Sequence, residues 1–213
     1  MEVFSVKAEL VEYVEREILP RYEHFDKGHR RDHAETVICN SLEIALELEG
    51  ETLDIDMVYA IAAYHDVGLL QGRANHEKAS AVALLADAEL RRWFTSAQLV
   101  TMAEAVEDHR ASNNNAPRTI YGCVVSEADR VIDYRTILVR TAQYSVANYP
   151  GFTQEEHFLR SMAHISDKYG IGGYLRLWLE TRMNREKLDE MREIIGDERR
   201  VRDDFFEILE EWG

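Results

Sequence analysis

The sequence predicts an all-α protein. Apolar residues recur at helical spacing along most of the chain, the pattern of helices that bury one face. Only three prolines occur in 213 residues, so few positions interrupt a long helix. One apolar stretch, residues 119–134, fits a strand as well as a helix locally. We assign it to helix because no partner strand is evident elsewhere, and we therefore expect a helical bundle.

The predicted helices follow one another with short breaks. The first ends before Pro20 and carries an apolar stripe made of Val6, Leu10, Val14 and Ile18. A helix over 54–65, capped by Asp54, is apolar nearly all round, as a buried central helix is. The remaining helices are predicted over 32–48, 76–89, 96–110, 119–134 and 136–148. Two or three amphipathic helices follow over 153–211, with a break at Gly170, Gly172 and Gly173.

A change of pattern near Pro150 suggests two parts of the chain. Residues 1–150 are expected to form the helical core that carries the chemistry. Residues 151–213 are expected to form a C-terminal helical extension, either separate or part of the same domain. Within it, residues 172–196 resemble one amphipathic helix that packs on its own core or on a second copy of the chain, as a homodimer. Its apolar face is Leu175, Leu177, Trp178 and Met183.

The charge and composition narrow the function classes. The formal net charge is −15, and such an acidic chain repels a phosphate polymer, so we expect no nucleic-acid partner. A small phosphorylated substrate remains compatible, because a metal and a few arginines reverse the local field. No signal peptide or membrane-spanning apolar run is evident, which predicts a cytoplasmic protein without a membrane partner. Cys39 and Cys123 are expected to be reduced core cysteines.

Six residues of the metal-ligand type stand out by their placement. His65 and Asp66 close the most apolar helix of the chain, where a charged carboxylate is unfavourable unless it is paired or coordinated. Asp129 follows another apolar stretch. A buried ion pair with Arg73 or Arg130 is the alternative explanation for the two carboxylates. The six candidates, in chain order, are His33, His65, Asp66, His76, His109 and Asp129.

The order of these residues resembles that of the HD superfamily of metal-dependent phosphohydrolases, H…HD…H…H…D. The segment AIAAYHDVGLL resembles the family's signature helix and turn, RDHAETVICNSLEIA its first-histidine helix, and VVSEADRVID its terminal-aspartate helix. NHEKASA and VEDHRAS resemble the segments that hold two further histidines in some members. The resemblance covers about residues 24–135, and it implies an HD-domain helical bundle with additional C-terminal helices.

The resemblance also implies a ligand set. Carried over residue by residue, the family pattern makes four residues the ligands of one divalent metal: His33, His65, Asp66 and Asp129. His76 and His109 match the additional ligands of two-metal members, in which Asp66 would bridge both ions. Alternatively, these two histidines only bind substrate phosphate or are incidental. Imidazole and carboxylate ligands suit Fe, Mn, Mg, Ni, Co or Zn, so the metal and the number of ions, one or two, stay open.

The leading function implied by the resemblance is hydrolysis of a small phosphate ester or anhydride, such as a nucleotide, by metal-activated water. Asp66 is the candidate catalytic residue, as bridging ligand and as base. Guanidinium groups suit bidentate phosphate contacts. The Asn-rich loop 111–118 is a candidate lid. The cations close to the ligands in sequence are the candidate substrate-binding residues: Arg73, Lys78, Arg110 and Arg118, with Arg30 and Arg31 nearby.

A second function fits the same pattern. The mixed-valence diiron oxygenase branch of the superfamily uses the same six ligands to cleave C–C or C–P bonds with dioxygen. That branch has a substrate-binding lysine near the fourth residue after the position of His109, where this chain has Asn113. The departure favours the hydrolase. A third, non-catalytic role as a binding module is disfavoured because all six positions are filled.

Overall fold

The computed structural model describes residues 5–25, 29–48, 52–110, 115–179 and 181–212. Over these residues the protein is all-α and forms no β-strand, which confirms the predicted fold class. Contacts between Cα atoms divide the chain into two compact units, Met1–Arg130 and Val131–Gly213. The predicted boundary near Pro150 falls inside the second unit, because this proline lies only in the turn between two of its helices. No helix in the described ranges is long and apolar enough to cross a bilayer.

Most helices of the first unit begin and end close to the predicted positions; the exceptions are the first helix and the helix predicted over 119–134. A π-helical segment, Val14–Ile18, and a 3-10 segment, Leu19–His24, continue the first helix beyond Pro20. The predicted stop at Pro20 is therefore wrong, because the proline occupies the first turn of the 3-10 helix, where its missing N–H costs no hydrogen bond. The α-helices are α1 Ala8–Tyr13, α2 Arg31–Glu47, α3 Ile55–Tyr64, α4 His76–Ala86, α5 Ser96–Asp108 and α6 Ile120–Ala128.

Helix α3 is the central helix of the first unit. The Asp54 carboxylate accepts hydrogen bonds from the backbone N–H groups of Asp56 and Met57, as predicted for its cap. Every residue from Asp56 to Tyr64 is buried, and α2, α5 and α6 pack around the helix. Because α3 ends at Tyr64, the next two residues leave it in a turn that is itself buried. The central helix therefore delivers His65 and Asp66 to the interior.

Side-chain caps fix the ends of the neighbouring helices. Thr95 and Gln98 form a reciprocal capping box at the start of α5. Helix α6 begins after the cap Thr119 and ends at Ala128, earlier than the predicted 119–134, with Asp129 in the C-cap position. Helix α4 ends at Ala86, and the 3-10 turn Ala88–Arg92 follows it. The ends of α5 and α6 fix the positions of two candidate ligands, His109 and Asp129.

The second unit contains four α-helices in its described residues: α7 Tyr134–Asn148, α8 Gln154–Tyr169, α9 Arg182–Gly196 and α10 Glu198–Glu210. The predicted break at Gly170, Gly172 and Gly173 is present, and Gly172 adopts a φ of 80° there. The single helix predicted over 172–196 is wrong in its first part, because α9 begins only at Arg182. Leu175 and Leu177 pack against the core of the second unit, which includes Phe158 and Phe205. Leu175 and Leu177 therefore pack within the chain, which is one of the two predicted alternatives for the apolar face. The homodimer remains a prediction.

Candidate metal centre

The six candidate ligands all stand at helix ends of the first unit. His33 lies in the first turn of α2 and His76 begins α4, whereas His65 and Asp66 follow α3. The remaining two, His109 and Asp129, occupy the C-caps of α5 and α6. The packing of these helices brings the ends together. His65, Asp66 and His109 are 0%, 3% and 2% exposed, so the centre of the cluster is shielded from solvent.

One set of donors gathers around the Oδ2 atom of Asp66. His65 Nε2 lies 3.5 Å from this oxygen and His33 Nε2 lies 3.8 Å from it. The two Nε2 atoms are 3.2 Å apart. Asp129 Oδ1 lies 3.2 Å from His33 Nε2 and 3.9 Å from His65 Nε2. Two imidazoles and two carboxylates therefore converge here, a set of ligating atoms suitable for one metal ion.

A second set gathers around the other oxygen of the same carboxylate. His76 Nε2 lies 3.1 Å from Asp66 Oδ1, and His109 Nε2 lies 3.5 Å from it. The two imidazole rings meet edge to face with their centroids 5.3 Å apart. Asp66 thus faces one set of histidines with each oxygen, the arrangement that a carboxylate bridging two ions needs. The distances bring together all six residues singled out from the sequence.

Backbone carbonyls orient three of the four imidazoles. His65 Nδ1 lies 2.7 Å from the Ala62 carbonyl oxygen, and His109 Nδ1 lies 2.7 Å from that of Val106. His76 Nδ1 likewise lies 3.1 Å from the carbonyl three residues before it. Because a carbonyl only accepts, each Nδ1 carries the proton and donates it. Nε2 is then the nitrogen that faces Asp66, and it can bind a metal once it is deprotonated.

These residues fit a divalent metal. Unprotonated Nε2 atoms and carboxylate oxygens are all electron-pair donors, and their close approach is unfavourable unless positive charge lies among them. Imidazole nitrogen with carboxylate oxygen suits Fe, Mn, Co, Ni or Zn. Thiolates are not implicated, because neither cysteine belongs to the two sets. Cys39 is exposed, so its predicted place in the core is wrong, and Cys123 is half-buried.

The electrostatics of the site also favour bound positive charge. Burial alone would raise the pKa of Asp66, but the imidazoles of His65 and its neighbours outweigh it and hold the pKa well below the ordinary value. The pKa of Asp129 is lowered in the same way by His33, against the effect of burial. Burial lowers the pKa of His33 and His109, yet the adjacent carboxylates raise both overall. The two carboxylates therefore attract protons or metal ions to these imidazoles.

A buried tyrosine supports the turn that carries Asp66. The Tyr22 hydroxyl donates to the Ala63 carbonyl oxygen at 2.9 Å and accepts from the Asp66 backbone N–H at 3.2 Å. Tyr22 is fully buried, and burial raises its pKa well above the ordinary value. It thereby satisfies a carbonyl and an N–H that the end of α3 would leave without partners. Sequence reasoning missed this residue, because nothing in its local pattern distinguishes it from other core tyrosines.

The alternative of buried carboxylate–arginine pairs does not describe this cluster. Arg130 Nη2 donates to Glu127 Oε1 at 3.3 Å, although Asp129 is its neighbour in sequence. Arg73 Nη2 lies 3.3 Å from His29 Nδ1. The contacts of Asp66 and Asp129 are with histidines instead. His29, whose ring meets that of His33 edge to face at 5.7 Å, is a further neighbour that the sequence pattern did not reveal.

The predicted substrate-binding cations differ in their surroundings. Arg118 is held by Asp108 and Glu107, with N–O distances of 2.9 and 2.6 Å, so its guanidinium group is already occupied. Lys78 is exposed and lies two residues beyond His76, about 200° around α4. Arg110 contacts the residue that follows His76, and the Arg73 guanidinium contacts His29.

Arg110 has one further neighbour that connects it to the site. Its Nη1 atom lies 3.5 Å from Glu77 Oε2, and the same Glu77 oxygen lies 3.5 Å from His76 Nδ1. Glu77 was not among the predicted site residues. Its position beside a candidate ligand was the signal that could have identified it. Residues 111–114 of the predicted lid 111–118, which include Asn113, lie outside the described residues.

A helical unit whose helix ends gather six histidine and aspartate side chains around a shared carboxylate belongs to a class of metal-binding α-helical proteins. The family model of the HD domain matches residues 30–132, a span that contains all six residues. This segment therefore matches the HD domain family, and the resemblance predicted from the sequence is confirmed. The HD domain and its two histidine–aspartate sets support a metal-dependent enzyme of the HD type.

The chain is similar to the crystal structure of a predicted HD superfamily hydrolase from an uncultured Thermotogales bacterium, at 17% identity and a TM-score of 0.48. The similarity covers 96% of this chain and 92% of that one. Comparison with curated proteins gives no match.

Proposed function

We propose that this protein is a metal-dependent hydrolase of a small phosphate ester or anhydride, such as a nucleotide. The observation that carries the proposal is the position of Asp66, whose two oxygens face two separate sets of imidazoles. A single carboxylate with histidines on both sides suits a pair of metal ions, and paired ions are typical of phosphoryl-transfer hydrolases. The burial of the cluster favours this chemistry, because electrostatic interactions are stronger away from water.

We assign the ligands to two positions that share Asp66. The first metal would bind on the Oδ2 side of Asp66, and the second would bind on its Oδ1 side. Metals bound there would supply Lewis acidity, lowering the pKa of water and neutralising phosphoryl oxygens. The first set is His33, His65, Asp66 and Asp129, and the second is Asp66, His76 and His109.

Asp66 acts in this proposal as the bridging carboxylate. Its strongly lowered pKa keeps it ionised and makes it a weak proton acceptor, so we assign it this bridging role in preference to that of the base. Arg110 is the proposed contact for a substrate phosphoryl oxygen, because its guanidinium group is partly exposed beside the second set. Arg118 is a poorer choice, since two carboxylates already hold it.

The test of this proposal is metal-dependent release of phosphate. The purified chain, with manganese added, is assayed against a panel of nucleotides and sugar phosphates. We expect turnover of at least one substrate that disappears with a chelator and in Asp66→Asn. Asp32→Asn is the matched control, because Asp32 is an exposed carboxylate next to His33 and should retain activity. A panel without metal-dependent release would contradict the hydrolase.

The diiron oxygenase is the second candidate, because its branch requires the same two sets of ligands around a shared carboxylate. It differs from the hydrolase in needing reduced iron and dioxygen. Dioxygen consumption by the iron-loaded chain, measured with an oxygen electrode across candidate substrates, separates the two functions. Substrate-dependent oxygen uptake together with no phosphate release would favour the oxygenase, and the reverse would favour the hydrolase.

A further inference from the structure

The two sets of donors differ in their negative charge. The first set includes two carboxylates, because Asp129 Oδ1 lies 3.2 Å from His33 Nε2 on the Oδ2 side of Asp66. The second set consists of two histidines and the Oδ1 atom of the shared Asp66. Carboxylate charge strengthens the binding of divalent cations. On its own ligands, the second position should therefore hold a metal less tightly than the first.

Glu77 adds a carboxylate beside the second set, which partly offsets its smaller negative charge. It directly follows His76 in the first turn of α4, and its side chain is only 13% exposed. Its Oε2 atom lies 3.5 Å from His76 Nδ1, whereas His76 Nε2 faces Asp66 at 3.1 Å. Because the two ring nitrogens point in different directions, Glu77 contacts the imidazole on the side away from the second position. His76 Nδ1 also lies 3.1 Å from the Arg73 carbonyl oxygen, so Glu77 acts beside this hydrogen bond, as an outer carboxylate whose negative charge makes the histidine a stronger ligand.

The same carboxylate oxygen also reaches the proposed phosphate contact. Arg110 Nη1 lies 3.5 Å from Glu77 Oε2, and Arg110 is 41% exposed at its side chain. An arginine on a flexible stem needs an anchor to present its guanidinium group in a fixed orientation. Glu77 thus touches both a ligand of the second position and the nearest guanidinium group.

We propose that Glu77 is a positioning residue of the second metal position, where its negative charge lies beside the His76 imidazole and its carboxylate anchors Arg110. This inference rests on the proposed function, and it adds that the second metal depends on Glu77 while the first does not. Loss of an outer-shell partner typically weakens metal binding by about 10- to 100-fold. We therefore expect a selective loss of at least about 10-fold at one of two positions.

The test is a calorimetric titration of the metal-free, full-length chain with manganese. Glu77→Gln keeps the shape of the side chain and removes its charge, so the fold should be retained, and circular dichroism checks this. We expect the wild type to bind two equivalents, and Glu77→Gln to bind one equivalent with unchanged affinity and the second at least about 10-fold more weakly. Glu77→Asp keeps the charge and should recover part of the second affinity.

Glu107→Gln is the matched control, because Glu107 also pairs with an arginine of the first unit, Arg118, but belongs to neither donor set. It should bind both equivalents as the wild type does. Wild-type binding of both equivalents by Glu77→Gln would overturn the inference and leave the two-metal site intact. Equal weakening of both equivalents would also overturn it. A wild type that binds fewer than two equivalents would overturn the inference and the two-metal site together, and is recognised from the wild type alone.

Discussion

At the scale of single residues, the geometry of the site depends on groups that never face the metal positions. Three histidines donate Nδ1–H to the carbonyl three residues before them, so the backbone determines which nitrogen faces Asp66. Tyr22 holds the backbone on either side of the turn after α3. Such outer contacts are as necessary to a metal site as its ligands, because they fix the ligands' orientation before binding.

Replacing Tyr22 with phenylalanine tests this role. The change leaves the Ala63 carbonyl and the Asp66 N–H buried without their partner, which should destabilise the fold by about 2 kcal/mol. Because both positions share Asp66, we also expect both manganese affinities to fall, by about 10-fold. Denaturant unfolding and manganese titration measure the two effects.

Tyr13→Phe provides the control for this variant. Tyr13 is also a buried tyrosine of the first unit, and its hydroxyl donates to Asp87 Oδ2 at 2.5 Å, away from the two donor sets. It should lose stability and keep its metal affinity. If Tyr22→Phe binds manganese as tightly as Tyr13→Phe does, the Tyr22 hydroxyl stabilises the fold without positioning Asp66.

The raised pKa values of His33 and His109 predict a pH dependence of metal binding. In the metal-free chain, a histidine with a raised pKa contributes stability fully below its unfolded value of about 6.5, and loses this contribution as pH rises through its folded value. Metal binds only the deprotonated imidazoles. The manganese-induced rise in melting temperature should therefore be larger at about pH 8.5 than at about pH 6. Scanning calorimetry at both values checks this, and an equal or larger rise at the lower pH contradicts it.

At the scale of elements, the site exists because five helix ends meet. The 3-10 segment Val67–Gln71, which follows Asp66, packs against the start of α4 and so joins the two donor sets. The contact is close at Gly68, whose backbone N–H donates to the Ser80 hydroxyl at 2.8 Å. A Cβ atom at Gly68 would lie 2.2 Å from the His76 carbonyl oxygen and 2.4 Å from the Ser80 nitrogen.

Gly68→Ala should therefore move the start of α4 and displace His76. Both contacting atoms belong to the backbone, so neither can rotate away. We expect a loss of stability of about 1–3 kcal/mol and a weaker second manganese site. Gly151→Ala is the matched control, because nothing lies within 4 Å of its Cβ position, and it should change neither property. Unaltered unfolding and metal titration of Gly68→Ala would show that α4 adapts without cost.

The elements also show how far the sequence could predict this structure. The cap Asp54, the buried helix α3 and the six clustered residues follow from local pattern and family resemblance, and all of these features appear in the structure. The helical segment across Pro20 and the late start of α9 at Arg182 depended on local geometry that apolar spacing does not encode. The positions of Tyr22 and Glu77 depend on which helix ends meet, which is tertiary information. For the same reason, the sequence could not show that Arg118 is occupied by neighbouring acids.

At the scale of the whole molecule, the candidate site belongs entirely to the first of two compact units. A ligand that binds the native state stabilises the segments that hold it. We therefore expect manganese to slow amide hydrogen exchange in α2 through α6, most strongly at their ends around the donors. Exchange measured by mass spectrometry with and without manganese tests this. Protection that is absent from those helices and confined to the second unit would contradict the site.

The net charge of −15 indicates a second role for the proposed metal ions, which is to attract a negatively charged substrate. A phosphorylated substrate approaching such a chain meets an unfavourable average field. Two divalent ions in the first unit, with Arg110 beside them, would reverse that field locally. Attraction of a phosphorylated substrate therefore depends on both metal positions being filled.

The most direct test of this central claim is the metal content of the purified chain. After expression in metal-supplemented medium, elemental mass spectrometry gives the identity and the number of ions per chain. We expect about two divalent transition-metal ions per chain. Asp66→Asn should lose both, because both positions share that carboxylate. A chain that retains no metal under any supplementation, or an Asp66→Asn variant that still holds two ions, would contradict it.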